Sequence, residues 1–430
     1  MVAREMEGRA GHGAMPEPIR RRRVVVTGIG AVTPIGSGRT GLWEGVRRGA
    51  SAVDTITRFD ATHFNCTVAA EVRDYHPRDH LPHKLAHRLD RYAQFAVTAA
   101  TMAVADSKLD PASYQDGRMG VYLGSALGGV AGAEAEHSNF VQGGLRAVNP
   151  LLALSVFGAS ASTNVAMHLG LTGPCLCNAN GCAAGAVALG EAFMAIRSGV
   201  VDAAVAGGAE APLMPLTFGA FAAIRAMSTR NEDPAHASRP FDRDRDGFVM
   251  GEGAAMLVLE ERESALRRGA VPLVELLGYG QTCDAYRMTA PLPDGTQAAR
   301  AMRTAISDAG LRADDIGYVK AHGSATLLND STETLAIRLA LGPRAERVPL
   351  SGTKGLHAHS LGASGAIEAA IVAMAMRNDY LPPTANLCHP DPTCDLDYIR
   401  DEGRDLHVEH VLCNSFGFGG INVALVLGQP

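Results

Sequence analysis

Asn178-Ala-Asn-Gly-Cys182-Ala-Ala-Gly185 runs directly into Ala186-Val-Ala-Leu-Gly-Glu-Ala-Phe-Met-Ala-Ile-Arg-Ser198. A second stretch matches it: Gly365 is followed by Ala366-Ile-Glu-Ala-Ala-Ile-Val-Ala-Met-Ala-Met-Arg-Asn378. Both follow small residues, both end in Met-Ala-Xaa-Arg, and both are apolar nearly all round. A helix with no polar face has to be buried on every side, so each is expected between layers of the fold. The pair suggests an internal duplication joined near residues 262–272. Ala-rich buried helices look alike, so the match is weak taken alone.

Working outward, Val24-Val-Val-Thr-Gly28 is a short β-branched run closed by a Gly-rich turn, the pattern of a buried strand. Similar runs recur at 120–124, 203–207, 254–259, 273–277, 316–321, 348–351, 410–413 and 422–427. Helical patterns lie between many of them, at 91–107, 183–198, 297–309, 331–341 and 363–378. This alternation predicts an α/β protein with mostly parallel sheets. Residues 1–19 are rich in Gly, Glu and Arg without apolar periodicity and read as a disordered tail. The arginines at 20–23 read as a solvated lead-in to the first strand.

Length and composition narrow the function. At 430 residues the chain is too long for one simple core. A formal net charge of -6 argues against nucleic-acid binding as its main business. No apolar run approaches the ~20 residues that span a bilayer, and no signal-peptide pattern opens the chain. The eight cysteines follow no disulfide-framework spacing, which fits a reducing cytoplasm.

Four segments can carry chemistry. Cys182 falls at the predicted start of a buried helix, where free N–H groups and the helix dipole favour thiolate. A small buried core cysteine is the other reading. His322, in Lys320-Ala-His322-Gly-Ser-Ala-Thr326, sits just past the carboxyl end of a parallel strand, where α/β proteins place their sites. In Lys354-Gly-Leu-His357-Ala-His359 the two histidines superficially suggest a metal, but no spacing supplies a third ligand. Cys388, His389 and Cys394, in a Pro-rich loop, are judged the same way. Cys413-Asn-Ser-Phe416-Gly-Phe-Gly-Gly420 is a Gly-rich turn between strands whose N–H groups can point into a site. No Lys-Ser or Lys-Thr follows it, so it is not a nucleotide P-loop.

In this order, these segments resemble the elongating β-ketoacyl-acyl-carrier-protein synthases of fatty-acid and type II polyketide pathways, across about residues 22–428. Val205-Ala-Gly-Gly-Ala-Glu210, Ser238-Arg-Pro-Phe-Asp242 and Asp246-Gly-Phe-Val-Met-Gly-Glu-Gly253 add to the likeness. The resemblance implies a thiolase-like fold: two similar halves stacked α-β-α-β-α, each with a mixed five-stranded sheet. The corresponding division is a tail at 1–21, a half at 22–271 carrying the nucleophile, and a half at 272–430 carrying the histidines. It implies that Cys182 accepts an acyl chain as a thioester, and that His322 and His359 stabilise the enolate formed as malonyl-acyl-carrier protein loses carbon dioxide. The N–H groups of Cys182 and Phe416 would form the oxyanion hole, with Phe416 also the gate. Lys354 matches the family's active-site lysine, Glu368 its partner, and Asp330 a supporting acid. Thr289, Ser324, Thr326 and Gly417 would contact the phosphopantetheine arm, and Leu127 would gate the acyl pocket. No tightly bound cofactor or metal is implied. The expected partners are acyl-carrier protein and a second subunit, either another copy or a chain-length factor. Arg225 and Arg230 are candidates for docking the acidic carrier.

The chain departs from the family pattern. Gly181 and Ala183 flank the nucleophile where Ala and Ser or Thr are usual. Ser324 follows His322-Gly where Thr is usual, His357 replaces a threonine, and Ile421 replaces another. These changes leave the Cys–His–His set intact and bear on the substrate, pointing to a specialised fatty-acid or polyketide pathway, a polyene pathway among the candidates. Two alternatives remain. A non-catalytic chain-length-factor-like subunit would usually lack the cysteine. A thiolase would use a second cysteine near the C-terminus, where this chain has Phe416.

Overall fold

The computed structural model describes residues 21–114 and 116–430, so the expected tail at 1–21 lies, but for Arg21, outside the described residues. The main sheet has eleven strands among the described residues: ten in one continuous order, and the short Gly36–Ser37 pairing antiparallel with the end of the first. Of the ten, those in the first half are β1 (Val24–Thr33), β2 (Met119–Gly124), β3 (Cys175–Asn178), β4 (Ala203–Glu210) and β5 (Gly253–Glu261). In the second they are β6 (Val274–Cys283), β7 (Tyr318–Lys320), β8 (Leu350–Ser351), β9 (His410–Gly417) and β10 (Ile421–Gly428). Strands β1, β2 and β4 are buried along their whole length, as their continuous apolar or small-residue runs require.

The spatial order is β8-β7-β9-β10-β6-β1-β5-β4-β2-β3. It contains one arrangement twice. In each half the first strand pairs antiparallel with the fifth and the fifth antiparallel with the fourth. The fourth then runs parallel to the second, and the second parallel to the third. The two expected five-stranded sheets are therefore present, but they are mixed rather than mostly parallel as the alternation predicted, and they join where Val24–Val26 pair antiparallel with residues 274–276.

The repetition reaches single residues. Each half's first strand has a register shift, between Val26 and Gly28 and between Leu276 and Gly278. Glycines beside these bulges let a helix lie directly on the strand. A Cβ on Gly30 would fall 1.9 Å from the Ala99 carbonyl of α1 (Arg91–Ser107). Helices α2 (Ala184–Arg197), α3 (Thr296–Asp308), α4 (Leu327–Leu341) and α5 (Ser364–Arg377) complete the core set. A Cβ on Gly280 would fall 2.1 Å from the Ala301 carbonyl of α3.

The two helices singled out in the sequence, α2 and α5, form the middle layer. They touch backbone to backbone: a Cβ on Gly185 would lie 3.0 Å from Ala366 N, and one on Gly365 would lie 2.8 Å from Ala186 N. Apolar residues of both helices share one core cluster with residues of β1, β4, β5, β6, β9 and β10. This placement is why neither helix has a polar face, and it brings the N-termini of both to one place.

Helix α4 starts a turn earlier than the apolar pattern suggested, because the Thr326 hydroxyl accepts the Asn329 N–H. Short β3 gave no strand signal, and the helix Val130–Gly143 buries no residue, so no inward-facing period marks it. No described helix is long and apolar enough to cross a membrane.

Candidate active site

Cys182 lies in a single 3₁₀ turn, Gly181–Ala183, that leads into α2. Gly181 has φ +54°, a left-handed conformation that costs a residue with a Cβ, which accounts for glycine where the resemblance led one to expect alanine. Burial pushes the Cys182 thiol up to about 11, against the opposing pull of the Phe418 N–H, the Lys354 ammonium and its own N–H. The pull of the helix terminus toward thiolate is opposed here by desolvation, the larger effect, which favours the thiol.

The Phe418 N–H, in the turn after β9, is among the groups that pull the Cys182 thiol down. Phe416 presents its ring to His322, with 5.8 Å between centroids, while Phe418 stacks at 6.5 Å on Phe221. Gly417 packs beside the nucleophile; a Cβ there would lie 3.2 Å from Cys182 N.

His322 follows β7 in a turn held by Glu333 of α4, whose carboxylate accepts the N–H groups of His322 (2.7 Å) and Gly323 (2.9 Å). His359 comes from the turn before α5, and its Nδ1 meets the Ser364 hydroxyl at 2.8 Å. The two rings stand edge to face, 5.3 Å apart. Lys354 Nζ lies 3.3 Å from His322 Nδ1 and donates to the His322 carbonyl. Both imidazoles thus engage protein through Nδ1 and leave Nε2 for the cavity. Burial, then the Lys354 charge, holds both pKa values well below the usual histidine range, so both rings are neutral.

Behind His322 sits a fully buried charge cluster. Glu368 Oε1 accepts from Lys354 Nζ at 2.7 Å and from Lys320 Nζ at 2.9 Å. Burial pushes the Glu368 carboxyl up, but the two lysines outweigh it and hold it ionised. Burial pushes Lys354 down. Lys320 was not singled out in the sequence. Asp330 is buried away from the cavity, where it accepts the Phe241 N–H and faces Arg245. His357 is fully buried with Nε2 3.0 Å from the Thr353 hydroxyl, and burial lowers its pKa to about 3. It is a neutral structural histidine.

A cavity of about 470 Å³ opens on this cluster. Cys182, His322, His359, Phe416 and Gly417 line it, together with Thr289, Ser324 and Thr326. Arg225 also lines it, as does Arg287, which sequence reading missed; Arg230 does not. Leu127 is outside this cavity. It packs on a separate apolar cluster that includes Cys182, Phe218 and Leu361, beside Phe59 and Phe221. Cys182 therefore sits between a polar-walled entrance and an apolar region. Glu210 joins the two sides, accepting N–H groups from Ala126, Leu127 and Gly362; burial pushes its carboxyl up to about 7. Among the described residues, Asp242, Asp244 and His389 lie close enough together to share a cation. However, the Asp242 carboxylate is already taken by Arg239 and three backbone N–H groups.

The comparisons with known proteins agree with this geometry. The β-ketoacyl synthase N-terminal domain family matches residues 21–265, and the corresponding C-terminal domain family matches residues 273–388. The 3-oxoacyl-[acyl-carrier-protein] synthase 2 of Synechocystis sp. is 46% identical over 407 residues, 95% of this chain and 98% of the relative. The protein of the same name from Staphylococcus aureus is 41% identical over the same shares. Among solved structures, a type II polyketide ketosynthase bound to its acyl-carrier protein and a hexaketide is 36% identical with a TM-score of 0.89. It is matched over its whole length by 95% of this chain. The ishigamide ketosynthase/chain length factor gives the same values. With a thiol and two neutral imidazoles converging between duplicated halves, and with these matches over nearly its whole length, the chain belongs to the β-ketoacyl synthase family.

Proposed function

We propose that the protein condenses an acyl group held on Cys182 with malonyl-acyl-carrier protein. The observation that carries this reading is the convergence of Cys182, His322 and His359 on one cavity, with each histidine held through Nδ1. The Cys182 sulfur, losing its proton, attacks the thioester of an acyl-carrier protein; the acyl group moves to sulfur and the carrier thiol leaves with a proton. Malonyl-carrier then enters by the same cavity. Its carbon–carboxylate bond breaks, carbon dioxide leaves, and the electron pair forms a thioester enolate. The Nε2–H groups of His322 and His359 hydrogen-bond the enolate oxygen. The enolate carbon attacks the acyl-cysteine carbonyl, whose oxyanion is held by the N–H groups of Cys182 and Phe416, and the cysteine sulfur departs.

Thr289, Ser324 and Thr326 along the entrance suit the amide-rich phosphopantetheine arm, and Arg225 and Arg287 suit an acidic carrier. The apolar cluster beside Leu127 suits the acyl tail. The division at 22–271 and 272–430 as related units is supported by the repeated strand order. A second subunit is favoured by the apolar side chains left exposed on one stretch of the first half, among them Phe140, Val141, Leu145, Leu154 and Phe157. Either another copy or a chain-length factor would cover them. A cytoplasmic, specialised fatty-acid or polyketide pathway remains our reading. Retention of Cys182, His322 and His359 argues against a non-catalytic subunit.

The test is intact mass after incubation with acyl-carrier thioesters of graded length, beside Cys182→Ala. A gain of one acyl group, absent from the variant, supports the reading. A folded protein that takes up no acyl group, alone or with a chain-length-factor partner, overturns it.

A further inference from the structure

Two ammonium groups share one carboxylate oxygen beneath the reacting histidine. Lys320, Lys354 and Glu368 are all fully buried, and the two lysines reach the same Oε1 atom. Lys354 has a partner for each of its three protons: Glu368, the His322 carbonyl and His322 Nδ1. Lys320 meets only Glu368 and the Ala321 carbonyl, at 2.7 Å. It touches no atom lining the cavity, so it can influence the reaction only through its neighbours.

We infer that Lys320 is a positioning residue for decarboxylation: by occupying Glu368 it leaves the Lys354 charge uncompensated against His322. This deepens the proposed function and rests on it. With one lysine and one carboxylate the pair behind His322 would be neutral overall. With two lysines it carries a net positive charge inside a low-dielectric core, where charge acts over longer range than in water. A charged Lys354 can only donate, so His322 Nδ1 must accept and the ring proton must sit on Nε2, facing the substrate. The surplus charge also resists protonation of His322 to imidazolium and favours the negative enolate in front of it.

The other charged or titratable groups facing His322 do not supply this effect. Burial pushes the Glu333 carboxyl of α4 up, and its oxygens are spent on backbone and Asn414 N–H groups. His359 and His357 are neutral. Cys182 is a thiol. The Lys320 charge adds to that of Lys354 in pushing His322 down.

The experiment uses the full chain with Lys320→Met and Lys320→Arg, read by acyl loading of Cys182 and by malonyl-carrier decarboxylation across pH 5–8. Expected for Lys320→Met is normal loading, a fall of about tenfold in decarboxylation, and an acid limb displaced upward by about one pH unit, because His322 then protonates more easily. Lys320→Arg should restore the wild-type acid limb. Unaltered decarboxylation and pH profile in a folded Lys320→Met protein would overturn the inference. So would a loss in Lys320→Met, with no shift of the limb, that Lys320→Arg fails to rescue. If Lys320→Met does not fold, Lys320→Gln replaces it with the same criteria. Wild-type protein that neither loads nor decarboxylates would count against the proposed function instead.

Discussion

The Ser364 hydroxyl lies 2.8 Å from His359 Nδ1. Ser364 is the first residue of α5, so the helix that fills the middle layer also fixes the orientation of the His359 ring. Removing this hydrogen bond frees the imidazole to rotate. We expect Ser364→Ala to slow malonyl decarboxylation by about tenfold, equivalent to ~1.4 kcal/mol, with acyl transfer to Cys182 intact. Steady-state decarboxylation beside intact mass would separate the two; equal losses in both would show the bond to be merely structural.

Cys182 should titrate late. Its thiol is pushed up to about 11, so at neutral pH a small fraction is thiolate. Iodoacetamide alkylation of Cys182, followed by peptide mass, should accelerate about tenfold per pH unit from pH 7 to pH 9. A plateau near pH 7 would place the thiolate lower and restore the sequence expectation.

Glu368 holds two buried cations, so its loss should be severe. Glu368→Gln leaves both lysines uncompensated and is expected to cost about 3–5 kcal/mol in urea unfolding. Adding Lys320→Met removes one of the stranded charges, so the double variant should be more stable than Glu368→Gln alone. A double variant less stable than the single would contradict the shared-carboxylate arrangement.

Gly181 can be tested through its backbone. A Cβ at Gly181 meets only the Phe418 carbonyl, at an ordinary 3.5 Å, so space is not the obstacle to alanine; the φ of +54° is. Gly181→Ala should therefore lower stability by about 1 kcal/mol and leave the cavity its size. Thermal unfolding with an unchanged acyl-length preference would bear this out.

The buried histidines make stability depend on acid. His322, His357 and His359 have folded pKa values below the ordinary one near 6.5, that of His357 being about 3. The unfolded chain therefore binds more protons as pH falls below that ordinary value, and stability is lost in the same direction. Each histidine contributes up to ~1.4 kcal/mol per pH unit there. Urea midpoints at pH 7 and pH 5 should differ, and His357→Gln should shrink the difference by the share of one histidine. An unchanged difference would show that His357 is accessible or paired.

Much of the fold was legible because its signals are local. The strand at Val24 and the faceless helices α2 and α5 each carry their burial in their own composition. The stretches that were not read fail for the same reason. Helix Val130–Gly143 buries nothing, and β3 is four residues long. Turns at strand and helix ends marked Cys182 and His322 as candidates, and the family resemblance added His359. Lys320 was not legible, because one lysine closing an apolar strand has no visible partner until Glu368, 48 residues on, is brought to it.

The sequence by itself thus determined the strand and helix alternation and the buried character of the two middle helices, since periodicity acts over a few residues, while the roles expected of Cys182, His322 and His359 came from the family resemblance. The tertiary structure alone decided the protonation of those side chains. Burial, a second lysine on Glu368 and a serine behind His359 come from segments far apart in the chain, and desolvation and charge act through space rather than along the backbone.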